Sequence, residues 1–182
     1  MNLSHVPSDA LIEVFPTSVF TPVVASQGRV LHLVHIATRP LGEVLAEIEE
    51  QRDNRWTISK EPKTLTALQV QLHLSGEAIP DYSHAILNTT IGAPFRHKIW
   101  EATRTVPYGE TRSYGWLAEK AGSPRASRAA GSAMANNHFG LVVPCHRIIA
   151  SDGSLGGFGG GLDMKRMLLD LEQSTLRLLN KG

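Results

Sequence analysis

The chain has 182 residues, of which 42% are hydrophobic and 19% charged, with a formal net charge of +1. This length and composition predict one or two folded domains and exclude a disordered tail. No apolar run approaches the roughly 18 residues of a membrane span. The first 15 residues also lack the basic cluster of a secretory signal. We therefore expect no membrane partner and an intracellular location. A prokaryotic cytoplasm is favoured over a nucleus because no basic targeting run is present.

Charge is divided unevenly along the chain. Residues 1–90 carry six basic and ten acidic side chains, and residues 91–182 carry twelve and seven. A basic C-terminal half suggests that this part alone meets a polyanion, although ordinary scatter explains the difference equally well. The small excess of basic over acidic side chains in this half favours brief contact with DNA over a tight architectural role.

The N-terminal half predicts a small α/β domain over residues 1–90. Residues 30–36 (VLHLVHI) indicate a strand that is buried on both faces. From Leu41 onwards, apolar residues recur at helical spacing, which predicts a first helix. A second helix is expected over 65–74 and should end at Gly76. Residues 77–91 resemble a connector. The five histidines of this half show no metal-ligand spacing, so we expect no metal here.

The C-terminal half, residues 91–182, predicts mainly helices. A helix over 95–106 is followed by one that Ser113 caps and by a third over 125–136, with Ser123 as its N-cap and Pro124 at its first position. Two short helices joined by a tight turn form a helix-turn-helix pattern. The last of these helices combines small residues with Arg128. This pattern suits either a tightly packed core helix or a helix that approaches a partner closely.

The single cysteine lies in the sequence Pro144-Cys145-His146-Arg147, after an apolar run over 141–143 that predicts a buried strand. A lone cysteine is usually a small buried hydrophobe. Thiolate reactivity, in contrast, requires a nearby base, cation or helix N-terminus. His146 and Arg147 supply a base and a cation next to the only thiol, which favours a reactive cysteine.

Two further features follow the cysteine. Six of the nine residues over 153–161 are glycine, which suits close backbone approach to a flat ligand or, alternatively, a flexible surface loop. A final helix is expected from Asp163, with an apolar stripe made of Met164, Met167, Leu168, Leu171 and Leu178. Glu172 lies at the edge of this stripe, where a carboxylate needs a partner. Cys145, His146 and Glu172 would then repeat the nucleophile–base–orienter order of catalytic triads.

Four segments together resemble the O6-alkylguanine-DNA alkyltransferase family: VPYGETRSYGWLA (106–118), RASRAAGSAMANN (125–137), VVPCHRII (142–149) and GSLGGFGGGLDMKRMLL (153–169) with Glu172. The resemblance covers residues 95–172. It implies a ribonuclease-H-like α/β domain before a mostly helical domain with a helix-turn-helix and an active-site cysteine. It also implies irreversible transfer of an alkyl group from O6-alkylguanine, and from O4-alkylthymine, in DNA to Cys145, once per molecule and without a cofactor.

The resemblance also assigns roles to residues. Cys145 accepts the alkyl group, His146 takes its proton, Glu172 orients His146, and Tyr114 donates to the guanine ring. Arg128 enters the base stack after base flipping, and Asn137 braces the turn before the active site. The small residues of that helix enter the minor groove without sequence preference; they include Ala129, Gly131 and Ser132. The predicted substrate pocket consists of Met134, Ile148, Leu155, Phe158 and Gly159.

This chain departs from the family pattern at several positions. His138 stands where proline is common, Gly159 where a hydroxyl residue is common, and Phe158 where tyrosine is frequent. With Gly140, these changes predict a roomier pocket that accepts adducts bulkier than methyl. The protein is expected to act as a monomer on double-stranded DNA, with clustering along the duplex left open. The rival interpretations are a non-catalytic damage sensor, which would lack the acceptor cysteine, and a helix-turn-helix regulator with an incidental thiol.

Overall fold

The computed structural model describes residues 1–51 and 56–181. Its contacts divide the chain into two compact units. The first comprises Met1–Asn88 with His138–Gly140, and the second comprises Thr89–Asn137 with Leu141–Gly182. No helix among the described residues is both long and apolar enough to cross a membrane.

The first unit is a five-stranded sheet with order β4-β1-β2-β3-β5 and two helices. The strands are β1 (Leu11–Val14), β2 (Thr21–Gln27), β3 (Val30–Ala37), β4 (Thr57–Ser59) and β5 (Ile86–Leu87), and the helices are α1 (Leu41–Glu50) and α2 (Leu65–Ser75). β2 pairs antiparallel with β1 and β3, whereas the edge strands β4 and β5 pair in parallel. Apolar residues of β1 and β2 pack with Val44 and Ile48 of α1 in one core.

The sequence predicted most elements of this unit from hydrophobic pattern. The buried strand over 30–36 is confirmed as β3, and α2 ends at Gly76, whose φ of +71° is the left-handed conformation that favours glycine. The prediction of a connector over 77–91 was incomplete, because this segment contains β5. That strand has only two residues, which is too short for any alternation to show.

Residues 138–140 add a short backbone pairing to β3. The N–H of Val34 donates to the carbonyl of His138 at 2.8 Å, and the N–H of Gly140 donates to the carbonyl of Val34 at 2.8 Å. A Cβ on Gly140 would lie 3.0 Å from the carbonyl oxygen of Val34, a tight contact that glycine avoids. Phe139 between them is fully buried.

The second unit is mainly helical. It contains α3 (Pro94–Arg104), α4 (Tyr114–Lys120), α5 (Ser127–Ala135), a 3-10 turn over Cys145–Arg147 and α6 (Leu162–Leu179). Two short strands, β6 (Arg112–Ser113) and β7 (Ile148–Ile149), pair in parallel. α3, α4 and α5 pack against one another, and α6 packs against the 3-10 turn. Ser113 caps α4 by accepting a bond from Trp116 N, as predicted.

Three predictions for this unit were wrong in detail. α5 begins at Ser127, so Ser123 and Pro124 belong to the preceding turn instead of its first residues. Residues 141–143 are buried but form a turn, not a strand, and Leu141 has a φ of +66°. Met167 and Leu178 are exposed on α6. The buried face of α6 contains Met164, Lys165, Leu168, Glu172 and Thr175 instead.

Candidate active site

Cys145 begins the 3-10 turn and is partly exposed at a cavity of about 410 Å³ within the second unit. The parallel pairing of β6 with β7 brings the start of α4 beside this turn, because Tyr114 directly follows β6 and β7 directly follows Arg147. The cavity is lined by Tyr114, Gly131, Met134, Ala135, Cys145, Gly157, Phe158 and Gly159. Its volume is in the range of small-molecule sites.

Asn137 holds the thiol from the end of α5. Its Nδ2 donates to the carbonyl of Val143 at 2.8 Å and to Sγ of Cys145 at 3.2 Å. Burial raises the pKa of the Cys145 thiol, whereas the Asn137 bond and the charge of Lys165 act in the opposite direction. Burial thus favours the neutral thiol over the thiolate, and a nearby base promotes attack.

His146, the residue after Cys145, forms a buried pair with Glu172. Nε2 of His146 lies 2.7 Å from Oε1 of Glu172, and both side chains are almost fully buried. The backbone N–H of Gly109 donates to Oε2 of the same carboxylate at 2.8 Å. A carboxylate in this position fixes the ring orientation and stabilises an imidazolium.

Arg147 does not serve the thiol as the sequence suggested. Its guanidinium donates to Glu172 with Nη2 at 2.8 Å and Nε at 3.0 Å, and Nη1 donates to the carbonyl of Val106 at 2.8 Å. Its Cζ also lies 5.3 Å from the centre of the Tyr108 ring. Arg147 is thus the counter-ion of the buried carboxylate, and adjacency in sequence to Cys145 was misleading.

Tyr114 forms one wall of the cavity. Burial raises the pKa of its hydroxyl, and negative charge on Cys145 raises it further, so it remains a hydrogen-bond donor. Gly156 has a φ of +65°, and a Cβ there would lie 3.4 Å from the Tyr114 hydroxyl. The glycine-rich segment therefore packs directly on the tyrosine ring.

The exposed face of α5 carries the predicted DNA-contacting residues. Arg128, Ala129 and Ser132 are exposed, whereas Ala130, Ala133 and Met134 are buried. Gly131 lies between these faces and lines the cavity. Core packing thus explains only Ala130 and Ala133 among the small residues of α5, and Arg128 has no ion-pair partner within residues 1–51 and 56–181.

Met134, Phe158 and Gly159 of the predicted pocket line the cavity, whereas Ile148 and Leu155 are not among its lining residues. Both of their carbonyl oxygens accept bonds from Nζ of Lys165. Gly140 also lies elsewhere, because it pairs with β3. Lys165 was missed, although its spacing to Leu168 and Glu172 places it on the same helix face.

Comparisons with known proteins identify the family of this chain. A family model described as the DNA-binding domain of 6-O-methylguanine DNA methyltransferase matches residues 94–174. A methylated-DNA–protein-cysteine methyltransferase of Mycolicibacterium paratuberculosis is 54% identical over 82 residues, 45% of this chain and 50% of that protein. One from Methanosarcina acetivorans is 39% identical over 119 residues, 65% of this chain and 74% of the relative. The chain belongs to the methylated-DNA–protein-cysteine methyltransferase family.

The methyltransferase family also shares this fold. The structure of Mycobacterium tuberculosis OGT in complex with DNA superposes with a TM-score of 0.74 and 32% identity over 91% of this chain and 94% of that one. In sequence, the chain spans about half the length of the mycobacterial methyltransferases that it matches. These findings confirm the resemblance that the four segments indicated.

Proposed function

We propose that this protein repairs O6-alkylguanine in DNA by transferring the alkyl group to Cys145. The observation that carries the proposal is the buried His146–Glu172 pair next to a partly exposed cysteine, at a cavity of about 410 Å³. Membership of the methyltransferase family supports the same activity, and the solved complex of the M. tuberculosis protein with DNA supports the same partner.

The proposed reaction follows from the groups that meet at the cavity. His146 accepts the thiol proton at Nδ1 through a water molecule, because its Nε2 is engaged by Glu172. The thiolate attacks the alkyl carbon, the carbon–oxygen bond breaks, and its electron pair remains on the guanine. Tyr114 donates its hydroxyl proton towards the purine as negative charge develops. The product is a thioether, and the sequence has no second cysteine to regenerate the acceptor, so each molecule reacts once.

DNA recognition is proposed for the exposed face of α5. Small side chains let this face approach the floor of the minor groove without reading sequence. The target carbon is inaccessible inside a duplex, so the nucleotide is flipped into the cavity and Arg128 occupies its place in the stack. O4-alkylthymine offers the same alkyl–oxygen bond and is included as a second substrate.

Adducts larger than methyl are also proposed as substrates. A cavity of about 150 Å³ holds benzene, so about 410 Å³ leaves room for a purine and an aromatic adduct together. Nothing lies within 4 Å of a Cβ built on Gly157 or Gly159. We expect Gly157→Leu to slow benzyl transfer while methyl transfer persists. Equal slowing of both would argue against the wide pocket.

The deciding experiment is intact mass measurement after incubation with a duplex that carries O6-methylguanine. We expect a gain of one methylene per protein, absent in Cys145→Ala and absent with unmodified duplex. Excess substrate is expected to leave the yield at one methyl group per molecule. DNA binding without any mass gain would favour a damage sensor or a helix-turn-helix regulator instead.

A further inference from the structure

Thr103 lies behind one wall of the cavity. It belongs to α3, and its side chain is fully buried. Its Oγ1 donates to the carbonyl of Ile99 at 2.7 Å, one helical turn earlier, and lies 3.6 Å from Sδ of Met134 on α5. Met134 lines the cavity beside Cys145, whereas Thr103 is not among the lining residues. Thr103 therefore contacts the wall of the reactive site without reaching the cavity itself.

The backbone next to Met134 is fixed to α3. Nε1 of Trp100 donates to the carbonyl of Ala133 at 3.1 Å, and the Trp100 side chain is fully buried. Trp100 and Thr103 are three positions apart and so lie on the same face of α3. Because this bond joins the two helices directly beside Met134, it opposes any movement of α5 that would relieve a change of volume at position 103.

The side chain of Met134 is the group that can adapt. Methionine is unbranched and flexible and fills irregular gaps in a core. Protein interiors are so closely packed that neighbours respond to a single added or removed methylene. The thioether of Met134 contacts Thr103, and the same side chain borders the cavity. Added volume at position 103 therefore displaces the thioether into the cavity, and removed volume lets it withdraw.

We propose that Thr103 is a positioning residue that sets the width of the cavity through the thioether of Met134, and so determines the largest adduct that the site accepts. The substrates named here rest on the proposed alkyl transfer. The width of the cavity does not, because it governs access to Cys145 for any reagent.

The proposal is tested by the ratio of benzyl to methyl transfer from duplexes that carry O6-benzylguanine or O6-methylguanine. One methylene in an apolar pocket changes discrimination by about tenfold or more, and a displaced neighbour should produce part of this effect. We expect Thr103→Ala to raise the ratio and Thr103→Ile to lower it, each by about threefold. Lost stability alone would move both variants in one direction. A shift of both ratios in the same direction, or wild-type ratios in both variants, would overturn the proposal.

Thr105→Ala and Thr105→Ile are the matched controls. Thr105 is the exposed C-cap of α3, and its hydroxyl also donates to a carbonyl of the preceding turn, that of Ala102 at 2.8 Å. Both controls should keep the wild-type ratio, and shifts as large as those at position 103 would attribute the effect to the helix as a whole. Thr103→Ser covers the case in which Thr103→Ile does not fold. Its ratio should lie between those of wild type and Thr103→Ala, and a ratio below wild type would contradict the proposal.

The ¹³C chemical shift of the Met134 methyl group reports the thioether directly. The chain has four methionines, so Met134→Leu suffices to assign this signal. We expect Thr103→Ala and Thr103→Ile to move it, while the signal of Met167, which is exposed on α6, stays in place. An unmoved Met134 signal in both variants would show that position 103 does not act through this side chain.

A second pair of reagents separates this proposal from the proposed function. The rate at which N-benzyliodoacetamide alkylates Cys145, relative to iodoacetamide, should change in the same order as the transfer ratio. If the wild-type protein transfers no alkyl group from DNA, the proposed function fails, while these relative rates still decide the role of Thr103. Equal relative rates in wild type and both variants would overturn that role.

Discussion

Nδ2 of Asn137 lies 3.2 Å from Sγ of Cys145, and the same nitrogen donates to the carbonyl of Val143 two residues earlier. One amide thus holds the nucleophile and the turn that presents it. The bond to sulfur favours the thiolate over the thiol, because the donor stabilises negative charge.

Asn137→Ala should therefore lower both stability and thiol reactivity. Removing the donor takes one hydrogen bond from the carbonyl of Val143, which keeps its bond from the N–H of Cys145, and such a bond contributes about 0.5–1.5 kcal/mol. Urea unfolding and the iodoacetamide rate measure the two effects. Asn136→Ala is the matched control, since Asn136 is exposed and its amide donates only to Ser132 one helical turn earlier. Equal losses in both variants would show that position 137 has no special role.

Glu172→Gln should destabilise the protein strongly and abolish alkyl transfer. The substitution leaves the buried guanidinium of Arg147 without its anion, and loss of one partner from a buried pair costs about 3–5 kcal/mol. It also removes the group that stabilises the imidazolium of His146. The free energy of unfolding and single-turnover transfer are the measurements, with exposed Glu119→Gln as control. Wild-type stability of Glu172→Gln would contradict the buried-pair interpretation.

Arg128→Ala should slow transfer from duplex DNA by about tenfold or more, since base flipping costs a few kcal/mol. Transfer from free O6-benzylguanine should be unchanged, because that substrate needs no flipping. Arg125→Ala removes an equally exposed charge just before α5 and serves as control for general electrostatic attraction. A parallel loss in the two arginine variants would mean that Arg128 contributes charge alone.

Acid should destabilise the first unit through His32. Burial lowers the pKa of His32 from 6.5, with a further lowering by the charge of His5, while Asp9 raises it. The unfolded chain takes up a proton near 6.5 and the folded chain only at lower pH, so stability falls as pH decreases from 6.5 towards the folded value. Unfolding free energies at about pH 7.5 and about pH 5.5 measure this slope. His32→Asn should flatten it, and an identical slope in the variant would refute the assignment.

Sequence patterns predicted the structure correctly where it depends on neighbouring residues or where several residues serve one function. Apolar spacing predicted β3, α1 and α2, and the hydroxyl of Ser113 predicted the start of α4. The pairing of Glu172 with His146 followed from the need of a carboxylate on an apolar stripe for a partner.

Other features were not predictable because they depend on distant segments. The turn over 141–143 is apolar like a strand, and only its surroundings impose the left-handed backbone of Leu141. Arg147 lies two residues after Cys145 in sequence, yet its partners Glu172 and Val106 are 25 and 41 residues away. Ile148 and Leu155 act through backbone carbonyls, which no side-chain pattern reports.

The pairing of residues 138–140 with β3 limits how the chain can be divided into functional fragments. Phe139 is fully buried within the first unit, although both of its flanking segments belong to the second. No single cut of the polypeptide therefore releases the reactive half intact. A fragment that starts at residue 89 would carry Phe139 exposed to water and would tend to associate. Compared with that fragment, circular permutation of the chain or co-expression of the N-terminal half is the more promising route to a functional split protein.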